Sequence, residues 1–169
     1  MSRILKHIED KAEALLNSYL VRSVPIPIEN IAKRCNVKIR RSASKEFSGL
    51  LIRKRGESLM GVNSEEALVR QRFTIAHELG HLFLHHGKNA FVDYIEHRRP
   101  GKKIKKVKKE TEADMYAAAL LMPKSRLEKD FNKIAKNGFS PKKLKLLAKK
   151  YKVSEAAMNF RLVNLKLSR

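Results

Sequence analysis

His77-Glu78-Leu79-Gly80-His81 is the stretch whose reading decides the rest of the chain. On an α-helix, residues four apart lie about 40° apart around the axis, so the two imidazoles converge on one point. The intervening glutamate is near enough to hold a water beside whatever the imidazoles bind. Two neutral nitrogen ligands, a water of lowered pKa and a carboxylate to take its proton make a hydrolytic zinc site. The competing reading is a histidine pair on a solvated face. Two ligands alone also leave a tetrahedral ion two short.

The flanks favour the metal. Asn63 or Ser64 is expected to cap the helix, with Glu65 and Glu66 in its first turn, a run to about His86 and a stop at Gly87. Phe73, Ile75, Ala76, Leu79, Leu82 and Phe83 surround the motif, so this helix is expected to be buried. Buried histidines need partners, and a metal ion is a good one. His85 continues the series, but eight helical residues rise about 12 Å, too far for one ion. The third ligand must come from another element, with Asp93, Glu96, His97, Glu110, Glu112 and Asp114 as candidates. Glu112 ranks first because it opens the stretch Glu112-Ala113-Asp114-Met115-Tyr116-Ala117-Ala118-Ala119, whose small residues let two helices approach closely. Glu110 points to a different face; neither it nor Asp114 is excluded.

Around these two segments the pattern is mixed. Residues 3–21 carry apolar positions at helical period, broken by Pro25 and Pro27. A short helix is expected from Pro27 to about Cys35, with Ile28, Ile31 and Ala32 inward. Val37–Arg41 alternates as a strand, and Ser48–Arg53 with Ser58–Val62 form a hairpin around residues 54–57. Residues 88–109 are expected to be a loop, with at most a short strand near Phe91–Ile95. Helices follow over Glu110–Leu121, roughly Lys124–Ala135, Ser140–Lys150 and Glu155–Leu165. The last two resemble a helix-turn-helix, although Lys152 stands where such turns place a left-handed glycine. The plain alternative is a helical hairpin packed on the core. The fold class is therefore α+β with a small three-stranded sheet.

The chain has 169 residues, enough for one domain with a small appended unit. No run is apolar enough to span a membrane, the N-terminus lacks a secretory apolar region, and Cys35 stands alone, all of which suit a cytoplasmic setting. Lys and Arg number 38 against 17 Asp and Glu, a net charge of +21. Residues 98–169 hold 22 of the basic residues and 6 of the acidic ones. Such a field favours nucleic acid or an acidic protein partner, against the alternative of a solubilising surface. Lys102, Lys103, Lys105, Lys106, Lys108 and Lys109 repel one another, which predicts either a solvated loop or a docking site for an acidic segment.

Two stretches, Gln71–His81 and Glu112–Pro123, together resemble the ImmA/IrrE family of zinc metallo-endopeptidases. The second resembles the family pattern Glu-Ala-Asn-x-Phe-Ala-Ala-x-Leu-Leu-Met-Pro, with Asp114 in place of the commoner Asn and Tyr116 in place of Phe. The resemblance implies a zincin-like domain over residues 1–137, with helix-turn-helix-like helices at 138–169 packed on it. It implies Zn2+ held by His77, His81 and Glu112, with Glu78 as general base; the departure at Asp114 adds a carboxylate that can act behind the ligands. It also implies a helix-turn-helix repressor as substrate, cleaved to relieve repression on mobile elements or under stress. The chain is expected to be the short form without a C-terminal sensory domain. The alternative is a non-proteolytic zinc-containing regulator that binds a repressor or DNA. Tyr116, His85, His86 and Arg72 are candidates for stabilising the oxyanion, and none is assigned.

Overall fold

The computed structural model describes residues 3–54, 57–84, 90–94 and 104–168. Among them, in chain order, are α1 (Arg3–Ser18), α2 (Ile28–Arg34), β1 (Val37–Ser42), β2 (Phe47–Lys54), β3 (Glu57–Asn63), α3 (Leu68–Leu84), β4 (Ala90–Tyr94), α4 (Ile104–Leu121), α5 (Lys124–Ala135), α6 (Pro141–Tyr151) and α7 (Glu155–Asn164). The mixture is α+β. Residues 28–117 form one compact unit and residues 1–27 with 118–169 form another, the division falling inside α4.

In the first unit the strands run in the order β1-β3-β2-β4. The expected hairpin is present, with β2 antiparallel to β3 and Lys54 opposite Glu57. β1 lies parallel to β3. The expectation of three strands is corrected by β4, which pairs antiparallel with β2 and satisfies backbone groups that an edge would leave open. The apolar positions of α2 meet the expectation, with Ile28, Ile31 and Ala32 buried. They share the core with Leu51, Met60 and Val62 of the sheet and Ile75, Ala76 and Leu79 of α3.

Two boundaries differ from the sequence reading. α3 starts at Leu68, so Glu65 and Glu66 precede it rather than filling its first turn. Asn63 is occupied elsewhere: its Oδ1 accepts from the backbone of Ser44 and Glu65, and its Nδ2 donates to Ser44 O. Glu66 accepts from Ser48 Oγ at 2.7 Å. These side-chain bonds shape a turn between strand and helix. The expected stop at Gly87 lies outside the described residues. α4 starts six residues before Glu110, so residues 104–109 are helix and not loop. Lysine is a good helix former, and the helix is set by its apolar face further on rather than halted by like charge.

In the second unit, Ile8, Ala12 and Leu16 form the buried stripe of α1. Leu127 and Phe131 of α5, Leu147, Ala148 and Tyr151 of α6, and Met158 and Leu162 of α7 fill the core. Arg161 is buried among them, its guanidinium paired with both carboxylate oxygens of Glu9 while Nε donates to Met122 O at 3.1 Å. Ser140 caps α6 with Pro141 at the first turn, and Ser154 caps α7 through a bond from Ala157 N. Between them Lys152 takes φ 51°, ψ 52°, the left-handed conformation otherwise left to glycine. A side chain there costs about 1 kcal/mol, offset by its N–H bonding to the carbonyls of Ala148 and Lys149. No described helix is long and apolar enough to cross a membrane.

Candidate metal centre

α3 carries His77, Glu78 and His81 into the interior of the first unit, where all three side chains are buried. Successive turns place both imidazoles on one side of the helix, with Nε2 atoms 3.1 Å apart. Glu110 of α4 sets its Oε2 at 3.2 Å from each of them. A tetrahedron with ligand bonds of about 2.0 Å has edges of about 3.3 Å. The three donor atoms therefore match one face of a zinc coordination shell, and the residues present fit such an ion. Among the described residues this is the group of metal-ligating side chains that converges.

The third member is Glu110, which corrects the ranking of Glu112. At about 100° per residue, Glu112 is turned about 200° from Glu110 around the α4 axis. The side of α4 that meets α3 is fixed by Ala113, because a Cβ on Gly80 would lie 3.0 Å from Ala113 Cα and 3.1 Å from its carbonyl oxygen. Glu110, Ala113, Asp114 and Ala117 share that side. The close approach of two helices through small residues was expected; the face of α4 that uses it was not.

Asp114, one turn beyond Glu110, bonds His77 Nδ1 through Oδ1 at 2.9 Å. An ionised carboxylate only accepts, so Nδ1 donates to Asp114, and Nε2, which faces Glu110, is the nitrogen a metal would take in place of a proton. Burial pulls the pKa of His77 down, but the hydrogen bonds to Asp114 and Glu110 outweigh it and push it up to about 10. Burial raises the Glu110 carboxyl, yet its bonds to the two histidines hold it well below the usual carboxylate range. Together the buried imidazoles and the partly exposed carboxylates form a pocket that receives positive charge, whether protons or a metal ion.

The model for the IrrE N-terminal-like domain, Peptidase_M78, matches residues 32–163. The chain belongs to the M78 peptidase family. That membership points to a metallopeptidase role, and the donor set of this M78 member agrees with it chemically. No curated protein matches the chain.

Glu78, the expected base of this M78 chain, is held from the sheet side by β2. A Cβ on Gly49 would fall 2.5 Å from Glu78 Oε1 and 2.6 Å from Thr74 Cγ2, so only glycine leaves the carboxylate its place. Gly49 lies at a register irregularity between β2 and β4. A lone glycine within a strand pattern is the signal that marks such an approach in a sequence. Arg53 of the same strand donates through Nη2 to His81 O and Leu82 O, at 3.0 and 2.8 Å. A cation on these last carbonyls complements the C-terminal end of α3.

The oxyanion candidates separate. Tyr116 is fully buried, stacked on Phe83 with ring centroids 6.2 Å apart, and its hydroxyl has no hydrogen-bond partner among the described residues. Burial raises its pKa, and it is a core residue. Arg72 lies on the far side of α3 from His77, its pKa lowered by burial and raised by the charge of Glu29. His85 and His86, like the ligand candidates Glu96 and His97, fall outside the described residues.

Proposed function

We propose that this M78 protein is a zinc-dependent endopeptidase of zincin-like architecture that cleaves a helix-turn-helix transcriptional repressor in the cytoplasm. The observation that carries the chemistry is the 3.1–3.2 Å triangle of His77, His81 and Glu110 with Glu78 one residue along the same helix. His77, His81 and Glu110 would hold the ion. Bound there, zinc lowers the pKa of a water and polarises a peptide carbonyl. Glu78 accepts the proton of the attacking water on a carboxylate oxygen and returns it to the leaving amide nitrogen. Its burial keeps bulk water from competing for that proton, while Asp114 holds the His77 ring in the productive orientation. The repressor as substrate rests on the family resemblance of the two motifs.

The test is a Glu78→Gln variant loaded with metal and incubated with the helix-turn-helix repressor encoded nearest to it. The wild type is expected to yield a discrete fragment by mass spectrometry, and the variant none, at equal metal content. A variant that relieves repression in cells while the repressor stays intact would overturn the peptidase reading in favour of a binding role.

A further inference from the structure

The second unit is strongly basic: residues 118–169 hold 14 Lys and Arg against 3 Asp and Glu. The lysines of α6 divide into two groups. Lys143 Nζ donates to the carbonyls of Asn137 and Gly138, and Lys150 pairs with Asp130 at 2.6 Å. Lys142, Lys145 and Lys149 are exposed, and no acidic group pairs with them among the described residues. Their spacing of three and four residues puts them in one row along the helix, about 10 Å from end to end.

We propose that this row is a contact surface for the phosphate backbone of a nucleic-acid duplex, bound without regard to base sequence. Three unpaired cations in line neutralise successive phosphates and release their counterions. The neighbouring helix argues against base reading. In helix-turn-helix proteins the second helix carries the base contacts, but α7 exposes Glu155, Ala156, Asn159, Phe160, Val163 and Asn164, an acid and no cation, and its arginine is buried on Glu9. An anionic membrane is the poorer fit, because Leu147, Ala148 and Tyr151, the apolar face an interfacial helix would insert, are buried in the core. An acidic protein partner is also poorer: Leu146 is the one exposed large apolar residue of α6, too little for a desolvated interface centre.

The experiment is fluorescence anisotropy of the full chain with two DNA duplexes of unrelated sequence and one RNA duplex, across a salt series. The variants are a triple Lys142→Gln/Lys145→Gln/Lys149→Gln and a control triple Lys6→Gln/Lys33→Gln/Lys45→Gln with the same loss of charge. All six positions are exposed, and thermal melts check that both variants fold. The α6 triple is expected to lose at least about tenfold in affinity, with the slope of log K against log salt falling by about 2.7, for three phosphates. The two DNA sequences are expected to bind alike, and comparison with the RNA duplex identifies which backbone is preferred. Equal losses in both triples reduce the effect to net charge and overturn the proposal. So does a wild type that ignores duplexes, or one that binds phosphatidylserine vesicles and releases them only in the α6 triple. None of these readouts depends on peptidase activity.

Discussion

At the scale of single residues, the centre depends on which carboxylate faces the histidines. Glu110→Ala is expected to abolish stoichiometric zinc binding in a chelator competition, whereas Glu112→Ala leaves it within a few-fold of the wild type. The reverse pattern would restore Glu112 as the ligand. Proton and metal compete for the same nitrogen, which gives a sign to the pH dependence. The pKa of His77 is pushed from its ordinary 6.5 up to about 10, so in the metal-free protein the imidazole is protonated at neutral pH. Zinc must displace that proton, so apparent affinity is expected to climb by about tenfold per pH unit up to about pH 10. The stabilisation that the protonated His77 gives the metal-free fold runs the other way. It is complete below about pH 6.5 and fades as pH rises towards 10. Chelator competition at stepped pH measures the first effect, and a flat profile would contradict it. His77, Glu78 and His81 were legible because their spacing is itself the chemistry. Glu110 was not, because two glutamates two residues apart differ only in helix phase, and phase is fixed by contact with α3.

At the scale of elements, the contact that sets this phase is Gly80 against Ala113. In an isolated helix Gly→Ala stabilises by about 1 kcal/mol. Here the added methyl would meet backbone atoms at 3.0 and 3.1 Å, which cannot rotate away as a side chain can. Overpacking costs about 1–3 kcal/mol and should win. Gly80→Ala is therefore expected to lower the melting temperature and to weaken zinc binding by displacing Glu110. A more stable variant with unchanged affinity would show that the helices approach less closely. Most elements were readable because their apolar period is regular: α2, the β2–β3 hairpin, α5 and the two capped helices α6 and α7 lie close to where the sequence puts them. The start of α3 and the fourth strand were misread for one reason. The start of α3 is decided by side-chain bonds of Asn63 and Glu66 to residues about 20 positions away, and β4 exists as a strand through pairing with β2, which local pattern cannot report.

At the scale of the molecule, one interaction joins the most distant parts of the sequence. The Glu9–Arg161 pair is almost fully excluded from water, so removing one partner strands a buried charge. Glu9→Ala is expected to cost about 3–5 kcal/mol in urea unfolding. A loss under about 1 kcal/mol would mean that water reaches the guanidinium. The charge asymmetry of the chain was visible in composition, but the burial of this arginine was not, since α7 reads as an ordinary amphipathic helix. The pair spans 152 residues, and its consequence is one of timing during synthesis. Residues 28–117 are contiguous, so the strands and helices around His77 can begin to pair with one another once that segment has left the ribosome. α1 precedes that segment, yet Glu9 has no counterion until α7, which follows it, has also emerged. A helix made before residues 28–117 is thus completed after them, and in the interval its buried face and its carboxylate stay exposed to water.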